Sequence, residues 1–277
     1  MSTALVTRKA PPAASSGGVG KFGLGVATLW LSVIVLLPLA ALTTEAFSVN
    51  GLQGFIDAVS SPGAIDALRV TIGASAVVAL INVVFGTLIA WVLVRDEFPG
   101  KGIVNALIDL PFALPTIVAS LVLLSIYGPD SPVGITLNAT QPALVLALSF
   151  VTLPFVVRAV QPVLIEVDRE VEEAAASLGA NNFTIFFQII FPTLFPALLS
   201  GGGLAFARAI GEYGSVVLIG GNVPGQTQVA SQYIQEQIES DVPSAAAAVS
   251  VVLLLITFMV LFILRLISSR TAKKVED

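Results

Sequence analysis

Glu172-Glu173-Ala174-Ala175-Ala176-Ser177-Leu178-Gly179, running on to Ile189-Ile190-Phe191-Pro192, is a long polar interruption in a sequence otherwise dominated by apolar residues. The carboxylates Glu166, Asp168, Glu170, Glu172 and Glu173 lead into a small-residue run of good helix formers, and Gly179 follows where a left-handed C-terminal cap belongs. Asn181 or Asn182 can cap a second helix, so the segment reads as helix, turn, helix. A polar helix pair lodged between apolar runs reads as a docking element.

The surrounding chain decides what kind of molecule carries it. Of 277 residues, 56% are hydrophobic and only 11% charged, whereas a globular domain has roughly a quarter of its residues charged. This is the composition of a membrane protein. There are no cysteines and no histidines, which excludes disulfides, thiolate metal sites and imidazole ligands or bases. No phosphate loop, metal-ligand cluster or nucleophile with a base stands in the sequence, so it offers no site for nucleotide hydrolysis or a bound cofactor. The net charge of -5 says little, because the placement of Lys and Arg around the spans matters more than their sum.

Stretches of ~20 mostly apolar residues cross a bilayer, and six are found, at about 24–47, 67–94, 102–127, 141–160, 194–220 and 243–267. Runs this long and continuous are helices rather than barrel strands, because backbone in hydrocarbon must satisfy its own hydrogen bonds. The expected fold is therefore an all-α membrane protein with six transmembrane helices. The first run could belong to a cleaved signal peptide, but its length exceeds the ~7–15 residues of a signal core and reads as an anchor. Residues 1–22 have the composition of a disordered cytoplasmic tail, residues 23–268 form the membrane domain with the polar loop at about 161–193, and residues 269–277 form a second tail.

Orientation follows from the basic residues. Arg8, Lys9 and Lys21, then Arg95 and Lys101, then Arg158 and Arg169, then Arg265, Arg270, Lys273 and Lys274 fall in segments that alternate to one side. The intervening loops at about 48–66, 128–140 and 221–242 hold no Lys or Arg, although Arg69 lies just inside span two. By the positive-inside rule both termini and the Glu173 loop are cytoplasmic.

Two spans carry polar residues. Asp109-Leu110-Pro111-Phe112-Ala113-Leu114-Pro115 sets a carboxylate and two prolines inside span three, which is expected to kink or break. Asp109 either pairs with a neighbouring helix or lies on a translocation path. In span five, Arg208 and Glu212 are four apart and so share a helix face, within Gly201-Gly202-Gly203 to Tyr213-Gly214-Ser215. Unpaired, each charge costs at least ~2.5–3.5 kcal/mol in a bilayer, so they form either an internal lock or a polar lining and gate. Outside, Gly220 to Thr227 forms a turn-rich loop and Ser231 to Glu239 a short surface helix where a partner could rest, or a solvated loop.

Read at its spacing, the opening segment is Glu173-Ala174-Ala175, three residues, Gly179, nine residues, Ile189, one residue, Phe191-Pro192. This resembles the EAA loop of bacterial ABC-type import permeases, with Phe191 in place of Leu as the one departure. Span three and the stretch from Phe206 to Pro224 are similar to the sulfate and thiosulfate permeases, specifically their T subunit. The molybdate permease is also similar and shares the Arg-Ala-x-Gly-Glu-Tyr/Phe-Gly theme. The Gly221-Asn222-Val223-Pro224 turn and the long segment to Ala245 favour the T subunit over it, and Glu212 favours T over the W subunit.

The resemblance implies a type I ABC importer permease in the cell membrane. It implies a W-type permease partner, two ATP-binding subunits that carry the ATP and Mg, and an extracytoplasmic sulfate-binding protein. It places Glu173, Ala174, Ala175 and Gly179 at the ATP-binding subunit, with Glu172, Ile189 and Pro192 in the same coupling loop. The path or gate would be marked by Asp109, Pro111, Pro115, Arg208, Glu212 and Tyr213. Alternatives are a molybdate or tungstate importer, an ion-gradient-driven carrier, and a non-transporting scaffold. A carrier would more often show a repeated topology with buried carboxylates or histidines and needs no docking loop. A scaffold needs no charges in its spans. Nothing points to nucleic acid; the lipid bilayer is the other partner.

Overall fold

The computed structural model describes residues 19–276, with side chains for all but Val19, Lys21 and residues 269–276. The chain divides after Thr44 into two compact units. The first is a helical rod of α1 (Val19–Leu31), a π turn at Ser32–Leu36 and the start of α2 (Leu37–Ala46). Thr28, Ser32 and Thr43 turn their hydroxyls onto the carbonyls four residues back, at 2.8, 2.8 and 2.7 Å. These bonds let polar side chains sit in a span without an unmet donor. The disordered tail expected at 1–22 lies outside the described residues up to position 18, and helix has already begun at Val19.

The second unit runs through α3 (Gly51–Ser60), α4 (Pro62–Arg95), α5 (Lys101–Ala113), α6 (Thr116–Tyr127), α7 (Gln141–Glu166), α8 (Arg169–Ser177) and α9 (Asn182–Ile185). A second π turn, Phe186–Ile190, leads to α10 (Phe191–Ile210), α11 (Ala230–Glu239) and α12 (Pro243–Glu276). Both π turns end two residues before a proline that stands in the second place of the next helix, Pro38 and Pro192. The wider turn makes room for a ring that would otherwise strike the carbonyl four residues back.

Helices α4, α7 and α10 form the centre, with α12 against α10. Without a hydrophobic effect between helices in lipid, close approach of backbones must do the work, and small residues permit it. Gly201-Gly202-Gly203 does so in three directions. A Cβ on Gly201 would lie 2.8 Å from Ala159 Cβ, one on Gly202 2.7 Å from a Val83 methyl, and one on Gly203 2.8 Å from a Leu264 methyl. The run thus packs α10 on α7, α4 and α12 at once. Asn82 on α4 adds a buried polar tie, donating to Thr152 Oγ1 at 2.8 Å and the Ser149 carbonyl at 3.2 Å on α7.

Five helices are long and apolar enough to cross a bilayer, and α5 with α6, bent by 114° between them, form either a broken sixth span or a re-entrant pair. The fold is all-α, with five to six candidate spans where the apolar runs predict six. Two details differ, at the end of span five and at Arg158. Span five ends as helix at Ile210, and residues 211–229 are turns rather than a helix to 220. Arg158, counted above with a loop, lies inside α7, which continues to Glu166. The helix of span six runs on without a break into the segment read as the second tail, to Glu276. The outer segment at 230–239 is the helix of the two readings given for it, with Ala230, Gln232 and Tyr233 buried.

Candidate functional site

The cytoplasmic segment folds as its residues dictate. Asp168 caps α8 by accepting from the Glu170 N–H at 2.9 Å, and Glu170 and Glu172 sit in the first turn, where the helix dipole favours carboxylates. At the other end Gly179 takes φ of +89°, the left-handed conformation that disfavours a Cβ. Gly179 N–H then reaches the Ala176 carbonyl at 3.0 Å and Ala180 N–H the Ala175 carbonyl at 3.1 Å, closing a Schellman motif. Asn181, rather than Asn182, caps α9 through Oδ1 and the Thr184 N–H at 2.8 Å.

None of the nine residues of α8 is buried. Glu173, Ala174, Ala176 and Gly179 are exposed, and Leu178 presents 90% and Phe183 72% of its surface. This is an apolar, acid-edged face on a cytoplasmic helix pair. Behind it a cleft of about 530 Å³ is bounded by Trp91, Glu172, Glu173, Ala176, Asn182 and Phe186. Ala175 and Ile189 turn inward and pack on the core beneath, and Pro192 is half-buried at the start of α10. Glu172 also turns inward, onto the Arg95 guanidinium at the end of α4.

The membrane holds two breaks. Between α5 and α6, Leu114 and Pro115 are extended (ψ of 135° and 130°), while Pro111 is buried inside α5 without disrupting it. Asp109, one turn ahead, is paired. Arg158 on α7 donates through Nε and Nη2 to its two carboxylate oxygens at 2.8 and 2.6 Å, a bidentate fork. The remaining guanidinium N–H groups reach Asn105 Oδ1, the Asn105 carbonyl and Gln161 Oε1, at 3.2, 3.1 and 2.5 Å. The pair is still partly open, with 34% of the Arg158 and 48% of the Asp109 side chain exposed.

The second break follows Ile210. Arg208 in the last turn of α10 pairs with Glu212, which stands just past the helix end, so the pair brackets the break and does not line one helix face. Glu212 has 1% of its side chain exposed and also accepts the Ser215 N–H at 2.8 Å. Tyr213 beside it is 39% exposed. The two breaks lean on each other. A Cβ on Gly214 would fall 2.1 Å from Thr116 Oγ1 at the start of α6, and Ser120 Oγ accepts the Leu218 and Ile219 N–H groups at 3.1 Å each.

Of the residues singled out in the sequence, Arg208 joins Glu212, whereas Asp109 joins Arg158. Arg158, Asn105, Gln161, Arg95, Trp91 and Ser120 were not singled out. The signal for Arg158 was present as an Arg followed three residues later by Gln161 on an apolar background, but its place near the end of a span assigned it to a loop.

Residues 82–273 match the family described as the binding-protein-dependent transport system inner membrane component. The chain belongs to this family. It is therefore a multi-pass inner-membrane permease, a transport subunit and not an enzyme in its own right. Among its relatives, the sulfate transport system permease protein CysT of Synechocystis sp. is 44% identical over 91% of this permease and 90% of that protein. CysT of Salmonella typhimurium is 39% identical, and CysT of Escherichia coli 38%, each over 91% of this chain and 93% of theirs. Solved structures agree on the fold. A bacterial alginate ABC transporter crystallised with its alginate-bound periplasmic protein gives a TM-score of 0.76 at 14% identity, covering 91% of this permease and 94% of that chain. The MetNI methionine ABC transporter gives 0.57 at 17% identity, covering 75% and 95%.

Proposed function

We propose that this permease is the sulfate- and thiosulfate-translocating membrane subunit of an ATP-driven importer, passing the anion inward from an extracytoplasmic binding protein. The observation that carries the reading is the likeness to CysT sulfate permeases, at 38 to 44% identity over about nine-tenths of the chain. A W-type permease completes the path, and two ATP-binding subunits dock below and hold the ATP and Mg.

The exposed face of α8 and its turn, with Glu173, Ala174 and Gly179 joined by Leu178, receives the ATP-binding subunit. Ala175, Ile189 and Pro192 root that face in the bundle. Closure of the nucleotide-binding pair pushes α8, and the push alternately opens the path to each side. A doubly charged anion does not enter hydrocarbon unaided, so the path needs hydrated, hydrogen-bonding walls. The broken spans supply them through Asp109, Arg208 and Tyr213, which stay partly exposed, while Pro111 and Pro115 shape the first break and the buried Glu212 holds Arg208 in place. Outside, Asp57, Asp130, Glu236, Glu239 and Asp241 repel free sulfate, so delivery from a closed binding protein is required.

Vesicles holding this chain alone are expected neither to hydrolyse ATP nor to take up sulfate; adding the second permease, the ATP-binding subunit and the binding protein restores both. Uptake by the chain alone under an ion gradient would reject an ATP-driven importer. Competition among sulfate, thiosulfate and molybdate for the restored uptake reads the anion, and a system blocked by molybdate but indifferent to sulfate would reject the anion assignment.

A further inference from the structure

The adjacent carboxylates Glu172 and Glu173 both border the cleft under α8 but differ in burial and partner, and the difference assigns them different work. Glu173 is exposed and forms no ion pair among the described residues. Glu172 lies against Arg95, the last residue of α4, with 21% of the Glu172 and 10% of the Arg95 side chain exposed. The guanidinium also stacks over Trp91, one turn back on α4, 5.4 Å from the ring centroid. Trp91 in turn meets Phe186 edge-on at 5.8 Å, at the root of α10.

Arg95 has no second carboxylate among the described residues, and its Nε is buried without a hydrogen-bond partner. Glu172 is therefore the one carboxylate paired with this buried cation among the described residues, beside the Trp91 ring and the C-terminal end of α4. Releasing Glu172 to a partner subunit would leave the guanidinium uncompensated, which is costly. The helix it belongs to has no fully buried residue, and beyond this ion pair it is seated on the core by the half-buried Ala175. Displacement of α8 is thus tied to the cytoplasmic end of α4 through one ion pair, and through Trp91 to Phe186 and α10.

We infer that Glu172, Arg95 and Trp91 form an internal strut that carries the movement of α8 into the bundle, while Glu173 alone of the two carboxylates serves the docked subunit. Arg95 and Trp91 are positioning residues, acting through α8 and touching neither nucleotide nor anion. The inference rests on the importer reading above.

The test uses the full complex in vesicles and reads four things: insertion and pairing with the second permease, co-purification of the ATP-binding subunit, stimulation of ATP hydrolysis by loaded binding protein, and anion uptake. For Arg95→Gln, insertion and co-purification are expected to stay at the wild-type level. Stimulation and uptake fall about tenfold, within the ~5–150-fold usual for coupling between sites. The charge swap Arg95→Glu with Glu172→Arg is expected to recover stimulation to within about threefold of wild type, and Arg95→Lys to give an intermediate value. Glu173→Lys does the reverse, losing co-purification first.

If Arg95→Gln or Glu172→Gln loses the ATP-binding subunit as completely as Glu173→Lys, Glu172 belongs to the docking contact and the strut is wrong. A swapped chain that inserts normally yet is no better than the single variants overturns it as well, and this arm decides where Arg95→Gln alone fails to fold. Loading the binding protein with molybdate in parallel separates the two readings. A wild-type complex stimulated only by molybdate refutes the anion assignment, and the strut is then judged on that stimulation.

Discussion

Helices α7 and α8 are consecutive in the chain and opposite in character. α7 gives eleven residues to the interior, among them Leu144, Leu148, Val156 and Leu164, while α8 gives none. α7 is packed chiefly against α4 and α10, and Thr152 and Arg158 on it meet Asn82, Asp109 and Asn105 of neighbouring helices. α8 is held by its own caps, by Glu172 and by the half-buried Ala175. A helix that relies on packing is a scaffold; a helix that spends its sequence on caps and leaves its face bare is built to be covered by something else.

Substitutions should separate the two regions by what they damage. The largest effect belongs to the pair at the break in span five. Arg208→Ala leaves the Glu212 carboxylate, with 1% of its side chain exposed, without its cation, and removing one partner of a buried pair costs about 3 kcal/mol or more. The yield of inserted protein and its melting temperature in detergent should both drop, and an unchanged melting temperature would mean that the pair is hydrated and free.

Next comes the seam between α7 and α10. Gly201→Leu drives a side chain into Ala159 and Val156, with an overpacking cost of about 1–3 kcal/mol. Melting temperature should fall while binding of the ATP-binding subunit by the surviving folded fraction stays normal. Gly179→Ala is smaller. Space is open around Gly179, so only the positive φ opposes a side chain, at about 1–2 kcal/mol confined to the α8 turn. Bundle stability should hold while co-purification weakens; equal loss of both would show that α8 and the bundle unfold together.

The smallest effect on stability belongs to Leu178→Ala and Glu173→Lys, within about 0.5 kcal/mol as for any exposed position. Both should nonetheless weaken co-purification, because the face they belong to is the one left uncovered.

What the sequence made legible follows the range of the interaction. Gly179, Asn181 and the Asp168 cap are local devices, visible within four residues, and each appears where the residue types place it. The break at Leu114 and Pro115 was equally local, since Pro115 cannot continue a ladder. Arg208 with Glu212 was legible as a pair because four residues separate them, but the helix end between them was not. The helix stops where Gly214 must lie against Thr116 and where Ser120 takes the loop N–H groups, contacts made across nearly a hundred positions. Asp109 with Arg158 and Glu172 with Arg95 are separated by 49 and 77 residues. No local pattern announces such partners, so Arg158 was read as a loop charge and Glu172 as a docking residue.

The most direct measurement is sulfate uptake into vesicles holding the complete complex, taken in parallel for the wild-type chain and for Glu173→Lys, with insertion of both chains checked. The expected result is ATP- and binding-protein-dependent uptake by the wild type and none by a fully inserted Glu173→Lys chain that no longer retains the ATP-binding subunit. Uptake by Glu173→Lys at the wild-type rate, with that subunit still bound, would contradict the assignment of α8 as the face through which ATP drives this permease.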